Sequence, residues 1–199
     1  NPLVSLGGFA RRLEKKLNGG LKEYADIIAK EVGRLEDLLN EILSFVKETR
    51  IQKERVEAQK LMEEVISLTH SEIDDRGISL IREFGDPVEI YVDPNRVKDA
   101  LLNIIKNAIQ ALENHGTITL KIYRKNKTCI LEIRDTGPGI AEEDLRFIFD
   151  PFYTTKKTGT GLGLTITHRI IEEHDGRIEV ESKTGEGSTF RVVIPIKEP

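Results

Sequence analysis

The stretch Asp135-Thr136-Gly137-Pro138-Gly139-Ile140 ends a predicted strand, Thr128 to Arg134, in a sharp glycine-rich break. The two glycines let the backbone approach a flat ligand closely. Asp135 only accepts hydrogen bonds when it is ionised, so it suits an amino group such as that of adenine. Taken alone, this pattern is more often a simple turn than a binding site.

A second glycine-rich stretch, Gly159-Thr160-Gly161-Leu162-Gly163-Leu164, opens a predicted helix from Leu162 to His174. Exposed N–H groups at a helix N-terminus form a cradle for anions when glycines remove the obstructing side chains. The stretch matches neither the P-loop nor the G-x-G-x-x-G pattern. The alternative is a plain glycine hinge.

Two amides lie on one face of a predicted long helix, Pro94 to Asn114. Asn103 and Asn107 are one turn apart, and their neighbours are mostly apolar. Buried amides without partners cost about 1–3 kcal/mol, so this pair needs a ligand or a polar contact. An amide carbonyl is a hard oxygen ligand that suits Mg²⁺ without adding charge.

An aromatic and polar stretch, Phe149-Asp150-Pro151-Phe152-Tyr153-Thr154-Thr155-Lys156, precedes the second glycine motif. It predicts a lid over residues 150–160 that is anchored by its aromatic end and mobile at its polar end. Lys156 and Lys157 are expected to meet phosphate oxygens, although a solvated lysine pair is the usual alternative.

Together and in this order, NIIKNAIQAL, RDTGPGI, FDPFYTTK and GTGLGL resemble the N, G1, F and G2 boxes of histidine kinases within the Bergerat-fold ATPase superfamily. The resemblance covers about residues 60–197 and implies that ATP and Mg²⁺ are bound. It implies that Asn107 is the Mg²⁺ ligand, and that Asn103 and Lys156 have catalytic roles. The remaining residues that the resemblance assigns to ATP binding are Asp135, Gly137, Gly139, Ile140, Phe152, Thr160, Gly161, Leu162, Gly163 and Thr189, the last as a strand threonine near the adenine.

The N-terminal quarter carries a heptad seam. Its apolar residues alternate in steps of four and three, which is typical of helices packed side by side. They are Leu21, Ala25, Ile28, Val32, Leu35, Leu39, Ile42 and Val46. A shorter stripe from Leu3 to Leu17 and the turn Asn18-Gly19-Gly20 complete an antiparallel helical hairpin. It resembles the dimerisation domain of the same family, and a second copy would complete a four-helix bundle. We therefore expect a homodimer through residues 3–46; the alternative is a hairpin that packs on its own downstream domain.

These elements predict an α+β protein. A helical hairpin over residues 1–50 is followed by a linker over 51–60 and by an α/β sandwich of the Bergerat type over 61–199. In the sandwich, an antiparallel-rich sheet is covered by helices.

The resemblance implies autophosphorylation on histidine and relay to an aspartate of a response-regulator receiver domain. In the family pattern the accepting histidine lies four residues before an Asn, and Asn1 matches that Asn, so the histidine is expected just upstream of Asn1. The resemblance also implies a role for Asn1 in dephosphorylation of the response regulator. None of His70, His115, His168 and His174 fits the acceptor motif. The alternatives are a hydrolysing or a serine-phosphorylating relative. In hydrolysing relatives a Glu at the position of Asn103 activates water, and Asn lacks the basic lone pair for that task.

Composition limits the partners and the compartment. A net charge of -4 provides no basic field for nucleic acid, so no nucleic-acid partner is expected. The single cysteine, Cys129, fits a reducing compartment. No apolar run approaches the roughly 18 residues that cross a bilayer. We expect a cytoplasmic fragment whose parent chain is attached to a membrane, if at all, through segments outside this sequence.

Overall fold

A computed structural model describes residues 8–9, 12–13, 20–46, 51–112, 115–156 and 159–196. The chain divides into two compact units, residues 1–48 and residues 49–199. In the described part of the chain, no helix combines the length and the apolarity that crossing a bilayer requires.

The first unit contains helix α1, Gly20–Val46. Along its predicted seam, Ala25 and Val32 are buried, whereas Leu21, Ile28 and Leu35 are 63%, 52% and 49% exposed. Residues 8–9 and 12–13 of the preceding stripe are helical, and the rest of that stripe lies outside the described residues. Helix α1 therefore carries a broad apolar stripe of which a large part faces solvent within one chain.

The second unit is a sheet of five strands in the order β2-β4-β5-β7-β6. Strand β2 pairs parallel to β4, and all other neighbours are antiparallel. A separate two-stranded antiparallel sheet joins β1 and β3. The elements in chain order are β1 Glu54–Glu57, α2 Ala58–Asp75, β2 Ser79–Phe84, β3 Glu89–Val92, α3 Pro94–Ala111, β4 Thr117–Lys125, β5 Thr128–Asp135, α4 Glu142–Leu145, α5 Gly163–Glu173, β6 Arg177–Lys183 and β7 Gly187–Pro195. The predicted α/β sandwich is confirmed.

One continuous core lies between the five-stranded sheet and the helices. Helix α3 buries residues spaced three and four apart, such as Val97, Leu101, Ile104 and Ala108, which is the spacing of one helix face. Alternate residues of β4 and β5 meet that face from the sheet. The other face of α3 is consequently free to carry polar residues beside the core.

The predicted linker over residues 51–60 is wrong. Strand β1 and the first turn of α2 occupy this segment, and Ala58 is fully buried. Gln59 is buried as well, where it donates to the Asp86 carbonyl at 2.8 Å and accepts from the Val88 N–H at 3.1 Å. The segment is part of the second unit because its backbone and side chains are bonded into that unit.

Helix α3 begins at a fixed point. The Asp93 carboxylate accepts from the N–H groups of Asn95 and Arg96, and Pro94 occupies the first turn, where no N–H is needed. The Asp93 N–H donates to Nε2 of His174 at the end of α5 at 2.9 Å. This contact joins the start of α3 to the end of α5, so the two helices that carry the polar motifs are held side by side.

Candidate functional site

Asp135 is a buried carboxylate at the end of β5, with 4% of its surface exposed. Its Oδ1 accepts from the Gly137 N–H at 2.8 Å. Burial raises the pKa of this carboxyl group, and hydrogen bonds from the backbone of Gly137 and Ser188 oppose that rise. The carboxylate therefore has a fixed orientation and offers an acceptor in a dry environment.

The loop after Asp135 is held by backbone contacts to the β6–β7 hairpin. Gly139 has a φ of 72°, and a Cβ there would lie 2.2 Å from the Lys183 carbonyl oxygen, so only glycine fits. The Ile140 N–H donates to Ser182 Oγ at 2.8 Å, and the Gly185 N–H donates to the Pro138 carbonyl at 2.7 Å. This end of the site has little freedom to move.

Ser188, rather than Thr189, is the residue of β7 that lies beside Asp135. The strand register pairs Ser188 with Asp135 and Thr189 with Arg134, which places the two hydroxyls on opposite faces of the sheet. The expected position of Thr189 near the adenine-reading carboxylate is therefore wrong. Ser188 Oγ lies 3.0 Å from Ser182 Oγ, which also donates to the Gly187 carbonyl at 2.9 Å.

Thr189 instead lines a shallow concavity of about 340 Å³ on the outer face of β5, β6 and β7. The charged side chains there are paired with one another: Arg191 lies 2.6 Å from both Glu132 and Glu181. Such a network on an open sheet face is satisfied by its own ion pairs and by water. It is not the site that the sequence motifs describe.

Asn103 joins α3 to the start of α5. Its Nδ2 donates to Thr167 Oγ1 at 2.9 Å, and Thr167 in turn donates to the Gly163 carbonyl. A Cβ on Gly163 would lie 2.5 Å from Asn103 Oδ1. The glycine at this position therefore lets the first turn of α5 approach the amide.

Asn107 and Gln110 contact the same cation, the Lys156 ammonium, and Gln110 is not among the residues that the sequence motifs predict. The Lys156 Nζ donates to Asn107 Oδ1 at 2.8 Å and to Gln110 Oε1 at 2.7 Å. We call these two oxygens the amide pair. Removal of the ammonium from water lowers the pKa of Lys156. Gln110 is three residues after Asn107 on the same helix face, and that spacing is the signal that could have identified it.

The start of α5 is shaped by close backbone packing. Gly161 has a φ of 72°, and a Cβ there would lie 2.4 Å from the Phe152 carbonyl carbon. The Phe152 N–H donates to the Gly161 carbonyl at 3.1 Å. Leu162 is buried, and its N–H donates to Thr160 Oγ1. The predicted glycine-flanked helix N-terminus is present, and its first turn lies beside Asn103 in the middle of α3.

The predicted lid has anchors at its aromatic end. Tyr153 donates to the Asp144 carboxylate and stacks at 5.5 Å from the Phe147 ring. Phe152 is 66% exposed. Residues 157–158 lie outside the described residues, and the mobility of the segment stays a prediction.

The histidines occupy ordinary structural positions. His174 is buried with both ring nitrogens engaged, one by the Asp93 N–H and one by the Ile170 carbonyl. His168 lies 5.0 Å from the Phe149 ring, and His70 pairs with Asp74 on the exposed face of α2. The His115 N–H donates to the Arg76 carbonyl. Asn1 lies outside the described residues.

Helix α3 arranges these features along one line. Ala111 contacts the Asp135 loop, because a Cβ on Gly137 would lie 3.2 Å from the Ala111 Cβ. One turn earlier is Asn107, and one turn before that is Asn103 against Gly163. Eight residues of α-helix span about 12 Å. The carboxylate end and the glycine-rich helix start are therefore separated by about two helical turns, with the amide pair between them.

Two family models match the chain. Residues 92–198 match the model described as Histidine kinase-, DNA gyrase B-, and HSP90-like ATPase, and residues 1–51 match the His Kinase A (phospho-acceptor) domain. Sensor histidine kinase ZraS of Escherichia coli (strain K12) is 37% identical over 199 residues, which are 98% of this chain and 43% of ZraS. Sporulation kinase E of Bacillus subtilis (strain 168) is 34% identical over 200 residues, 100% of this chain and 27% of that protein. The chain thus spans less than half the length of either relative.

Solved structures show the same likeness. Full-length ShkA in complex with AMPPNP has a TM-score of 0.85 and 27% identity, over 100% of this chain and 44% of ShkA. Histidine kinase ThkA in complex with the response regulator protein TrrA has a TM-score of 0.79 and 33% identity, over 99% of this chain and 58% of that chain. The catalytic domain of ThkA alone has a TM-score of 0.68 and 33% identity, over 72% of this chain and 95% of that domain.

Proposed function

Because the chain belongs to the two-component sensor histidine kinases, we propose that it binds ATP along helix α3. The adenine amino group is read by the Asp135 carboxylate, and the phosphates meet the N–H groups at the start of α5. Gly137, Gly139 and Ile140 form the wall at the adenine end, and Thr160, Gly161, Leu162 and Gly163 the wall at the phosphate end. Phe152 covers the edge of the site.

The order of features along α3 is the observation that carries this proposal. A buried acceptor lies at one end and a glycine-cleared helix N-terminus lies about 12 Å away along the axis. These two ends match a ligand that has an amino-bearing base at one end and an anion at the other. The structure of ShkA in complex with AMPPNP, an ATP analogue, supports nucleotide binding by this fold.

The amide pair supports Mg²⁺ binding at Asn107. Two neutral carbonyl oxygens already converge on one cation, the Lys156 ammonium, so the donor set suits a hard cation. When bound, Mg²⁺ neutralises charge on the phosphates. Within the described residues, no group of three or more His, Cys, Asp or Glu side chains could hold a metal ion. Phosphate oxygens and water would supply the other ligands of Mg²⁺.

We further propose that the parent protein transfers the γ-phosphoryl group of ATP to a histidine nitrogen and then to an aspartate of a receiver domain. The bond between the γ-phosphorus and the bridging oxygen breaks as the bond to nitrogen forms, and ADP leaves. The chain contributes position and charge neutralisation, with Lys156 and the α5 N–H groups near the phosphates. A receiver-domain partner is supported by the complex of ThkA with TrrA.

Asn103 argues against the hydrolysing alternative. Its Nδ2 is committed to Thr167, and an amide offers no basic lone pair to activate water. We propose that Asn103 positions the start of α5. None of the four histidines of this sequence is proposed as the acceptor, because His174 is buried with both nitrogens bonded and the other three lie outside the matched phospho-acceptor domain, residues 1–51.

The membership of residues 1–51 in the His Kinase A domain family implies dimerisation. We propose a homodimer through residues 3–46, because Ile28 and Leu35 of α1 are about half exposed in one chain. Replacing both with Glu would place charges in that seam and shift the mass measured by light scattering from two chains to one. A single-chain mass for the unmutated protein would refute the proposal. Replacing exposed Lys22 and Lys30 with Glu is the matched control.

Calorimetry with AMPPNP tests the nucleotide site. Asp135→Asn should weaken AMPPNP binding about ten- to a hundredfold, the value of a charge-assisted hydrogen bond. The same variant should lose preference for ATP over GTP, because guanine presents a carbonyl where adenine presents an amino group, and the Asn amide can donate to it. Asp75→Asn, an exposed aspartate at the end of α2, is the control. Unchanged affinity and unchanged base preference would disprove the role of Asp135.

A further inference from the structure

The contact between the amide pair and the Lys156 ammonium is unusual for a surface lysine. A lysine ammonium on a protein surface ordinarily points into water or pairs with a carboxylate. The Lys156 Nζ instead rests at 2.8 and 2.7 Å on two neutral oxygens, Asn107 Oδ1 and Gln110 Oε1. The backbone N–H of Lys156 donates to Thr154 Oγ1 at 3.1 Å.

The contact is set by two different elements. Asn107 and Gln110 are three residues apart on the same face of α3, which fixes their separation. Lys156 comes from the chain between α4 and α5, and it reaches α3 across a sequence separation of 49 residues. Lys156 is an exposed residue, and its ammonium is held by the two amide oxygens, so that end is the part of the side chain that is fixed. One ammonium therefore joins the segment after Tyr153 to the last two turns of α3.

We propose that Lys156 is a tethered competitor for the metal position in the nucleotide-free protein, and that Gln110 is the second oxygen of that position. This inference rests on the proposed function, since it concerns the same site. An ammonium and Mg²⁺ cannot both occupy the amide pair, so entry of the metal with the nucleotide requires Lys156 to leave. The protein keeps the amide pair satisfied without a metal, and the segment that carries Lys156 is released when the metal enters.

The magnesium dependence of nucleotide binding separates this role from an ordinary phosphate contact. The gain from Mg²⁺ is the Kd for AMPPNP in EDTA divided by the Kd in excess Mg²⁺. A phosphate contact of Lys156 in the complex changes the Kd in both conditions. Competition for the amide pair raises only the Kd in excess Mg²⁺, and so it lowers the gain. Lys156→Met should therefore raise the gain about three- to tenfold, the range for loss of one or two solvent-accessible hydrogen bonds.

The matched control is Lys106→Met, which removes the same charge from an exposed position of α3. Its gain should equal that of the unmutated protein, because Lys106 does not compete for the amide pair. An equal or smaller gain for Lys156→Met than for Lys106→Met would overturn the proposal. If the unmutated protein does not bind AMPPNP at all, the proposed function fails, and that outcome is distinguishable from intact binding with an unchanged gain.

A second measurement reports the contact without any nucleotide. The NMR signals of the Lys156 side-chain methylene next to Nζ should shift on Gln110→Leu in the nucleotide-free protein, and again in the unmutated protein on addition of AMPPNP with Mg²⁺. Addition of AMPPNP in EDTA should cause a smaller shift. Identical signals in the unmutated protein and Gln110→Leu would show that the ammonium does not rest on the amide pair, and would overturn the proposal.

Discussion

The two ends of the α3 face are built from different parts of the chain. At the Asp135 end, the contacts are mainly between backbone groups and short side chains, such as the Gly185 N–H with the Pro138 carbonyl and the Ile140 N–H with Ser182. Toward the Gly163 end, at the amide pair, the contacts are between side-chain tips, the Lys156 ammonium with the oxygens of Asn107 and Gln110. Backbone contacts that are already formed lose little freedom on ligand binding, whereas long side chains can change partners without moving the backbone, at a cost of about 0.5–1.5 kcal/mol for each one that becomes ordered.

This difference separates the tasks of the two ends. In the proposed site, the preformed, buried Asp135 carboxylate would select the base, because a misplaced or wrong partner leaves it unsatisfied. Exposed side chains at the other end can exchange partners when phosphates and a metal arrive. We therefore expect changes at the Asp135 end to cost folding stability and base recognition together. Changes at the other end should alter phosphate and metal binding with less effect on stability.

Gly187→Ala, at the Asp135 end, should have the largest effect on folding stability. Gly187 has a φ of 90°, and a Cβ there would lie 2.1 Å from the Asp135 carbonyl oxygen, which belongs to a paired strand and cannot withdraw. We expect a loss of about 3 kcal/mol or more in the free energy of unfolding, measured by urea denaturation.

Gly185→Ala is the matched control for that substitution. Gly185 has a φ of 85° in the same hairpin, yet nothing lies within 4 Å of the position of a Cβ. Only the backbone strain remains, so the loss should be about 1 kcal/mol. Equal losses for the two variants would show that the close approach to Asp135 contributes nothing.

Gly163→Ala tests the opposite end. The new Cβ would meet Asn103 Oδ1 at 2.5 Å and force the amide or the first turn of α5 to move. Overpacking of this kind costs about 1–3 kcal/mol, partly offset by the better helix propensity of alanine. AMPPNP binding should weaken about fivefold or more in calorimetry, while adenosine binding measured by NMR titration stays unchanged. A loss of adenosine affinity as large as that of AMPPNP would contradict the separation of the two ends.

The architecture was predictable from the sequence wherever periodicity was strong. Alternation fixed the strands around Lys125-Asn126, and the glycine motifs placed the helix start near Gly163. Strand β1 was missed because Glu54–Glu57 is short and polar, and its pairing with β3 is a tertiary contact. Local composition does not reveal such a partner.

The site was predictable as a set of positions but less so as a set of contacts. The family resemblance predicts Thr189 near the carboxylate, whereas Ser188 lies there; the buried Phe190 and Val192 share their face with Ser188 at a period of two. The alternation was therefore a usable signal. The Lys156 contact with Asn107 and Gln110 was not foreseeable, because a long flexible side chain has many exposed partners within reach.

Ser182→Ala tests the same difference between the two ends, with a smaller expected effect. The Ser182 hydroxyl accepts from the Ile140 N–H and donates to the Gly187 carbonyl, so it fastens the loop after Asp135 to the hairpin. Its loss should cost about 1 kcal/mol of unfolding free energy and weaken adenosine binding severalfold, with the magnesium gain unchanged. Ser67→Ala removes an exposed hydroxyl that donates to the Glu63 carbonyl, and should do neither. A changed magnesium gain in Ser182→Ala would mean that the two ends are coupled.

The smallest effect is expected from acid, acting through His174. Desolvation is the largest influence on this imidazole and lowers its pKa below the ordinary 6.5, with Lys53 acting in the same direction and the Ile170 carbonyl, Asp93 and Glu173 opposing it. The neutral ring is required because Nε2 accepts from the Asp93 N–H. Near the lowered pKa the unfolded chain therefore binds a proton that the folded chain does not bind. This contribution to stability is complete above pH 6.5 and is lost as the pH falls through the lowered pKa.

His174→Gln should lose this part of the acid sensitivity, whereas His70→Gln, which changes the exposed histidine of α2, should retain it. We expect a difference on the order of 1 kcal/mol between the two variants when urea denaturation at pH 5 is compared with pH 7.5. Since His174 joins the start of α3 to the end of α5 and does not touch Asp135, acid should also weaken AMPPNP binding more than adenosine binding in the unmutated protein. Equal pH dependence of the two affinities would show that His174 does not hold the phosphate end in place.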